Sequence, residues 1–155
     1  MKQMKIGNWI VEIDVEGTKA FYHAYHQITK GCDCIYCKNY VIATELLPKT
    51  VIDFFRSLGI DPTKEGEVSE YCENEDGSHL YGGFYHVMGQ IISGPDCWIK
   101  TGEEISHLET NNLVEISGFK FGFTYGLSLL PDRFPKPALQ LEFEGNIPWV
   151  LEEKS

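Results

Sequence analysis

The sequence predicts an α+β fold, a mainly antiparallel sheet with two to three helices packed on one face. Three observations carry that reading. One alternating segment stands near the N-terminus, helical periodicity dominates the next third of the chain, and alternation returns from Val68 onward. Helices and strands segregated in this way, without a regular strand–helix–strand repeat, mark the α+β class. No internal repeat, low-complexity tract or linker divides the 155 residues, which suit a single globular domain over 1–155.

The elements follow in order. In NWIVEIDVE, Trp9, Val11, Ile13 and Val15 fall on one face and Glu12, Asp14 and Glu16 on the other, the period of a half-buried strand. GTKAFYHAYHQI has Thr18 as an N-cap and Ala20, Phe21, Ala24 and Ile28 at helical spacing. CIYCKNYVIATELL reads as a helix stopped by Pro48, with Asp33 placed to cap it. KTVIDFFRSLG sets Val51, Phe54, Phe55 and Leu58 at i, i+3, i+4 and i+7, and Gly59 supplies the left-handed residue after the helix. IDPTKEGE is expected as a surface loop.

Beyond it, EVSEYCE and SHLYGGFYHVMGQIIS flank NEDG, so Asp76 and Gly77 predict a β-hairpin. FKFGFTYG places Phe119, Phe121, Phe123 and Tyr125 on one face. ALQLEFEG alternates Leu139, Leu141 and Phe143 against Gln140, Glu142 and Glu144, and Pro131, Pro135 and Pro137 punctuate the connection between the two strands. Glu12, Asp14, Glu103, Glu104, Glu142 and Glu144 read as solvated acids, because nothing in their spacing favours paired acid–base chemistry. LYGGFYHVMG has two readings. Gly82 and Gly83 admit a ligand beside Tyr81, Tyr85 and His86, or the segment is a central strand with a glycine bulge and a core histidine.

The formal net charge is −10, and no run of Lys or Arg exceeds one residue. Phosphate backbones and anionic membranes are repelled by such a surface, which leaves a basic protein partner as the class that charge allows. Glu12 and Asp14 interrupt the N-terminal apolar stretch too early for a signal peptide, and no apolar run approaches the ~20 residues of a membrane helix. A cytoplasmic, unexported protein is expected, and its five cysteines, an odd number, then point to reduced thiols or a metal rather than disulfides.

Three of those cysteines, Cys32, Cys34 and Cys37, crowd into KGCDCIYCKN. Cys34 and Cys37 have the spacing that lets two thiolates reach one ion from a helix start, and Cys32 can fold back as a third ligand. A tetrahedral zinc site needs a fourth ligand. His86 or His26 is the expected one, with His23, His79 and Cys72 as further options. The same geometry suits a reactive thiol, since the helix N-terminus stabilises a thiolate at Cys34, with Cys37 as the resolving partner. Plain burial is the third reading. No G-x-S-x-G, H-E-x-x-H or P-loop is present, and there is no nucleotide or flavin signature.

CDCIYCKNY, FFRSLGIDP, LYGGFYHVMG and FEGNIPWVLEE together resemble a family of small uncharacterised bacterial proteins, over Cys32 to the C-terminus, with C-x-C-x-x-C-x-N as the clearest mark. The resemblance implies a bacterial, cytoplasmic protein and singles out Cys32, Cys34, Cys37 and Asn39. It implies no catalytic role. The leading expectation is a non-enzymatic zinc-binding or interaction domain with a cysteine-rich helix start. The alternatives are a thiol-dependent enzyme or redox protein using Cys34, and an acidic protein-binding module whose cysteines are incidental.

Overall fold

A computed structural model describes residues 1–100, 106–108 and 112–154; Glu103 and Glu104 lie outside the described residues. The fold is α+β, with a seven-stranded antiparallel sheet and four α-helices among the described residues. The strands are β1 (Lys2–Ile6), β2 (Trp9–Ile13), β3 (Glu67–Glu73), β4 (His79–Ser93), a separate ribbon of β5 (Trp98–Lys100) and β6 (Ser106–Leu108), then β7 (Val114–Ile116), β8 (Phe119–Thr124) and β9 (Ala138–Ile147). The helices are α1 (Val15–Ala24), α2 (Ile28–Gly31), α3 (Ile35–Ala43), continued by a 3-10 turn over Thr44–Leu46, and α4 (Lys49–Leu58). Sheet order is β1-β2-β4-β9-β8-β7, with β3 also paired to β4. Among the described residues no helix is long and apolar enough to cross a membrane.

The 15-residue β4 organises the sheet. Along one edge its first half pairs β3, from His79↔Glu73 to Phe84↔Glu67, and its second half pairs β2, from Gly89↔Ile13 to Ser93↔Ile10. Its other edge pairs β9 over ten residues, from His79↔Ile147 to Met88↔Ala138. Because side chains alternate along a strand, Tyr81, Tyr85 and Val87 face one side of the sheet, and Gly82, Phe84 and His86 the other. The first side packs under α3 and α4. Tyr40 of α3 lies against Tyr81 and Phe143, and Phe55 of α4 meets Tyr85 and Phe121 edge-on. Phe121, Tyr85, Leu141 and Leu58 are all completely buried there.

Several boundaries differ from the sequence reading. β1 was not expected: Lys2, Gln3 and Lys5 break its alternation, and exposed lysines suit an edge strand. The first alternating strand stops at Ile13, because Asp14 accepts a hydrogen bond from the Gly17 N–H at 2.9 Å and caps α1. Val15 therefore opens a helix instead of closing a strand. Thr18, expected as the cap, is buried one turn in, donating to the Asp14 carbonyl at 2.8 Å and accepting from the Met88 N–H at 2.9 Å. α4 ends as expected, with Gly59 at φ 86° and the Ile60 N–H returning to the Phe55 carbonyl. The Asp76–Gly77 turn also forms, with Gly77 at φ 87°. β8 stops at Thr124, so Tyr125 leaves the apolar row and stands 58% exposed.

The acids depart most from expectation. Glu142 is 5% exposed and Gln140 is 2% exposed, because the chain around Trp98 and Ser128 covers the second face of β9. Glu65, in the segment expected as a surface loop, is buried too. The glycine pair does not form a bulge in β4. The register shift lies opposite, in β3 between Glu70 and Cys72, which makes Tyr71 the inserted residue. The Tyr71 ring then lies over Gly82, where a Cβ would come 2.4 Å from the phenol oxygen.

Candidate metal centre

The cysteine segment is shaped by two short helices that meet at a kink. α2 closes with the Cys32 N–H on the Ile28 carbonyl at 3.2 Å, and Cys32 itself is extended. Cys34 is the extended N-cap of α3, and Cys37 lies in the first turn three residues on. An N-cap side chain and one three positions later project to the same end of a helix, which brings their sulfurs together. Cys32 folds back onto them. The three sulfurs lie within 4.8 Å of one another, and Cys32 and Cys34 touch at 3.3 Å. A tetrahedral ion with metal–sulfur bonds of about 2.3 Å holds its sulfurs about 3.8 Å apart, so these thiols can take up that geometry with small side-chain rotations.

Asp33 does not cap α3, and no side chain caps it with a hydrogen bond of ordinary geometry. The helix start is left to the thiols. Burial pushes the Cys34 thiol up, but the Cys37 N–H, the Cys32 and Cys37 thiols and the Tyr36 N–H together outweigh it, and Cys34 sits below its ordinary value. Cys37 goes the other way. Burial raises it most, followed by its bonding to Cys32 and Cys34, so it keeps its proton in the metal-free protein. Cys34 is exposed, Cys32 intermediate and Cys37 buried, so an ion seated here would have solvent on the Cys34 side.

α3 itself is tightly held. The buried Asn39 side chain donates to the Pro148 carbonyl at 3.1 Å and accepts from the Val150 N–H at 2.8 Å, which ties the C-terminal segment across the helix. Trp149 then packs on Tyr36 and on His79, and the Tyr81 hydroxyl donates to the Tyr36 carbonyl at 2.7 Å. Trp149 and Val150 thus dock on the protein's own chain, Val150 against the core and Trp149 on Tyr36 and His79.

No histidine joins the three sulfurs among the described residues. His86, expected as the fourth ligand, belongs to the opposite side of the sheet from α3, one residue along the strand from Tyr85. It is completely buried, with Nδ1 2.7 Å from Glu65 Oε2 and Nε2 3.0 Å from Gln140 Oε1. The Ser128 N–H also donates to Gln140 Oε1, so that oxygen is an acceptor and His86 Nε2 must carry a proton toward it. Neither ring nitrogen is left for a metal. His26 is exposed, with Nδ1 3.0 Å from the Gln27 carbonyl and its ring against Tyr25; His23 is exposed, as is Cys72 on β3. His79 packs on Tyr36 of α3 and on Trp149, and its buried Nδ1 has no hydrogen-bond partner among the described residues.

Sequence reasoning missed the polar network under His86. The Tyr22 hydroxyl and the His86 N–H both donate to Glu65 Oε1 at 2.7 Å, and Gln140 Nε2 passes on to Glu142 Oε1 at 2.8 Å. Burial and the neighbouring Glu65 charge hold the Tyr22 phenol well above its usual range. The one available signal was polar: Gln140 and Glu142 alternate to the same face as His86 once β4 and β9 are paired. No protein family, curated protein or solved structure matches the chain.

Proposed function

We propose that this protein binds one thiophilic metal ion, zinc in the first place, through Cys32, Cys34 and Cys37, and works as a metal-binding or interaction domain in the cytoplasm rather than as an enzyme. The observation that supports this is the gathering of three thiols within 4.8 Å at the start of a helix. A domain of 155 residues buries enough surface to fold without a metal staple, so the ion is bound by a site already organised by Asn39 and the sheet. The fourth position is left to solvent or to a ligand from outside the three cysteines. Protein purified without chelator is expected to carry about one equivalent of zinc or iron by elemental analysis. The Cys34→Ser/Cys37→Ser variant is expected to carry none while keeping its circular dichroism. Folded wild-type protein that takes up no zinc when supplied with it would falsify the assignment.

The 3.3 Å contact between Cys32 and Cys34 favours a second reading, a dithiol couple in which Cys34 attacks and Cys32 is its partner in place of Cys37. Iodoacetamide labelling of metal-free protein, read by peptide mass spectrometry, distinguishes the thiols. Cys34 is expected to label first, at lower pH than the other two, and Cys37 last. Uniform labelling of the three would remove this reading.

A further inference from the structure

Cys32, Cys34 and Cys37 supply three sulfur donors, and among the described residues no histidine, carboxylate or further cysteine joins them as a fourth. A tetrahedral divalent ion must therefore complete its shell with solvent. An element that forms three bonds and keeps a lone pair has no such need. Trivalent arsenic is a thiol-seeking element of this kind, and it binds three sulfurs at the corners of a pyramid's base.

Distance favours the pyramid. Tetrahedral zinc holds its sulfurs about 3.8 Å apart, whereas Cys32 and Cys34 touch at 3.3 Å. Bond angles nearer a right angle draw the sulfurs together, which is the direction of that shorter contact. Charge points the same way. Three thiolates round a divalent ion leave one negative charge beside Cys37, which is 5% exposed, in a chain of net charge −10. Three thiols on trivalent arsenic leave none. Access is provided as well, since Cys34 is exposed and Cys32 intermediate, while Cys37 is buried. The donors are also held in advance, because Asn39 ties α3 to Pro148 and Val150, and donors already in place lose little freedom on binding.

We propose that this site captures a trivalent metalloid hydroxide, arsenous acid being the type, as a three-sulfur adduct. The inference rests on the gathering of thiols that carries the metal reading, and names a ligand whose valence those thiols fill. Each S–H proton passes to one As–OH oxygen, which leaves as water. Three As–S bonds replace three As–O bonds, and neither arsenic nor sulfur changes oxidation state.

The test uses the full chain, reduced and metal-free, with sodium arsenite as the probe. Native mass spectrometry is expected to show a gain of one arsenic less three hydrogens. Titration by the near-ultraviolet absorbance of As–S bonds gives the affinity. Cys32→Ser and Cys34→Ser, both away from the buried core and safe for the fold, are each expected to weaken arsenite binding about 100-fold or more, because a chelating arm is lost. Phenylarsine oxide bonds only two sulfurs. It is expected to bind Cys37→Ser within about threefold of wild type, while arsenite binding to that variant falls about 100-fold. Cys72→Ser, on exposed β3, should leave both probes unchanged.

Zinc uptake is measured separately on the same protein. Arsenite binding without zinc binding removes the metal reading and supports this one, and zinc binding without arsenite does the reverse. An adduct that retains an As–OH group, no adduct under excess arsenite, or unchanged arsenite affinity in both Cys32→Ser and Cys34→Ser overturns the proposal.

Discussion

Glu65→Ala is expected to cost about 3–5 kcal/mol of folding stability, the range found when one partner of a buried charged pair is removed. Three donors lose their acceptor at once: the Tyr22 hydroxyl and the His86 N–H, both on Oε1, and His86 Nδ1 on Oε2. All three belong to buried residues, so water cannot replace the carboxylate without opening the sheet. Glu65 also sits at φ 68°, a left-handed conformation that a non-glycine residue adopts only when its surroundings hold it there. The network supplies that hold. Glu65→Gln retains one acceptor oxygen and should fall between wild type and alanine. Urea unfolding followed by circular dichroism measures both, and a loss below about 1 kcal/mol for alanine would show that the network contributes little. Against a total stability of about 5–15 kcal/mol for a domain of this size, the expected loss is large enough to lower the folded fraction at 37 °C.

Phe121→Ala is expected to cost a similar amount, about 3–5 kcal/mol, by leaving a cavity between the sheet and α4. Its ring is completely buried, edge-on to Phe55 at 5.5 Å and tilted against Phe54 at 4.5 Å, with Phe119 stacked beside it. Tyr125→Ala is the informative comparison. Alternation alone assigns Tyr125 to the same face as Phe121, yet it lies past the end of β8 and is largely exposed. Its removal should cost under about 1 kcal/mol, limited to its hydrogen bond to the Gly94 carbonyl. Equal losses from the two substitutions would mean that the apolar row continues through Tyr125.

Those two residues also show where a sequence stops being readable. Local signals were legible wherever one residue type has one job. Gly59 ended α4, Asp76 and Gly77 turned the hairpin, and Phe119, Phe121 and Phe123 kept their alternation. Competition between neighbours was harder to see. Asp14 and Thr18 are both good caps, and Asp14 prevailed because β2 delivers the chain into α1 at that point. The α+β class emerged because it depends only on the order of periodicities. The burial of Glu142 did not, since it depends on which distant loop covers the second face, and Trp98 and Ser128 are 44 and 12 residues away from the groups they bond there. For the candidate site, sulfur spacing in a short segment was enough to bring Cys32, Cys34 and Cys37 together. Any ligand from another element is a question of pairing and face. His86 went to the far side of the sheet for a reason that one-residue parity decides, and parity is known only after β4 is paired.

The Asn39 clamp has a consequence in time as well as in space. Its two bonds reach across 109 and 111 residues of sequence, to Pro148 and Val150. On a ribosome adding roughly 5–20 residues per second, about 5–20 s separate the synthesis of the thiol helix from that of its clamp. Through that interval β9, which lies between β4 and β8, is also missing, so the nascent cysteines emerge onto a half-built scaffold. The thiols are thus made early and locked late, because the residues that close α3 over the sheet follow β9 in the sequence.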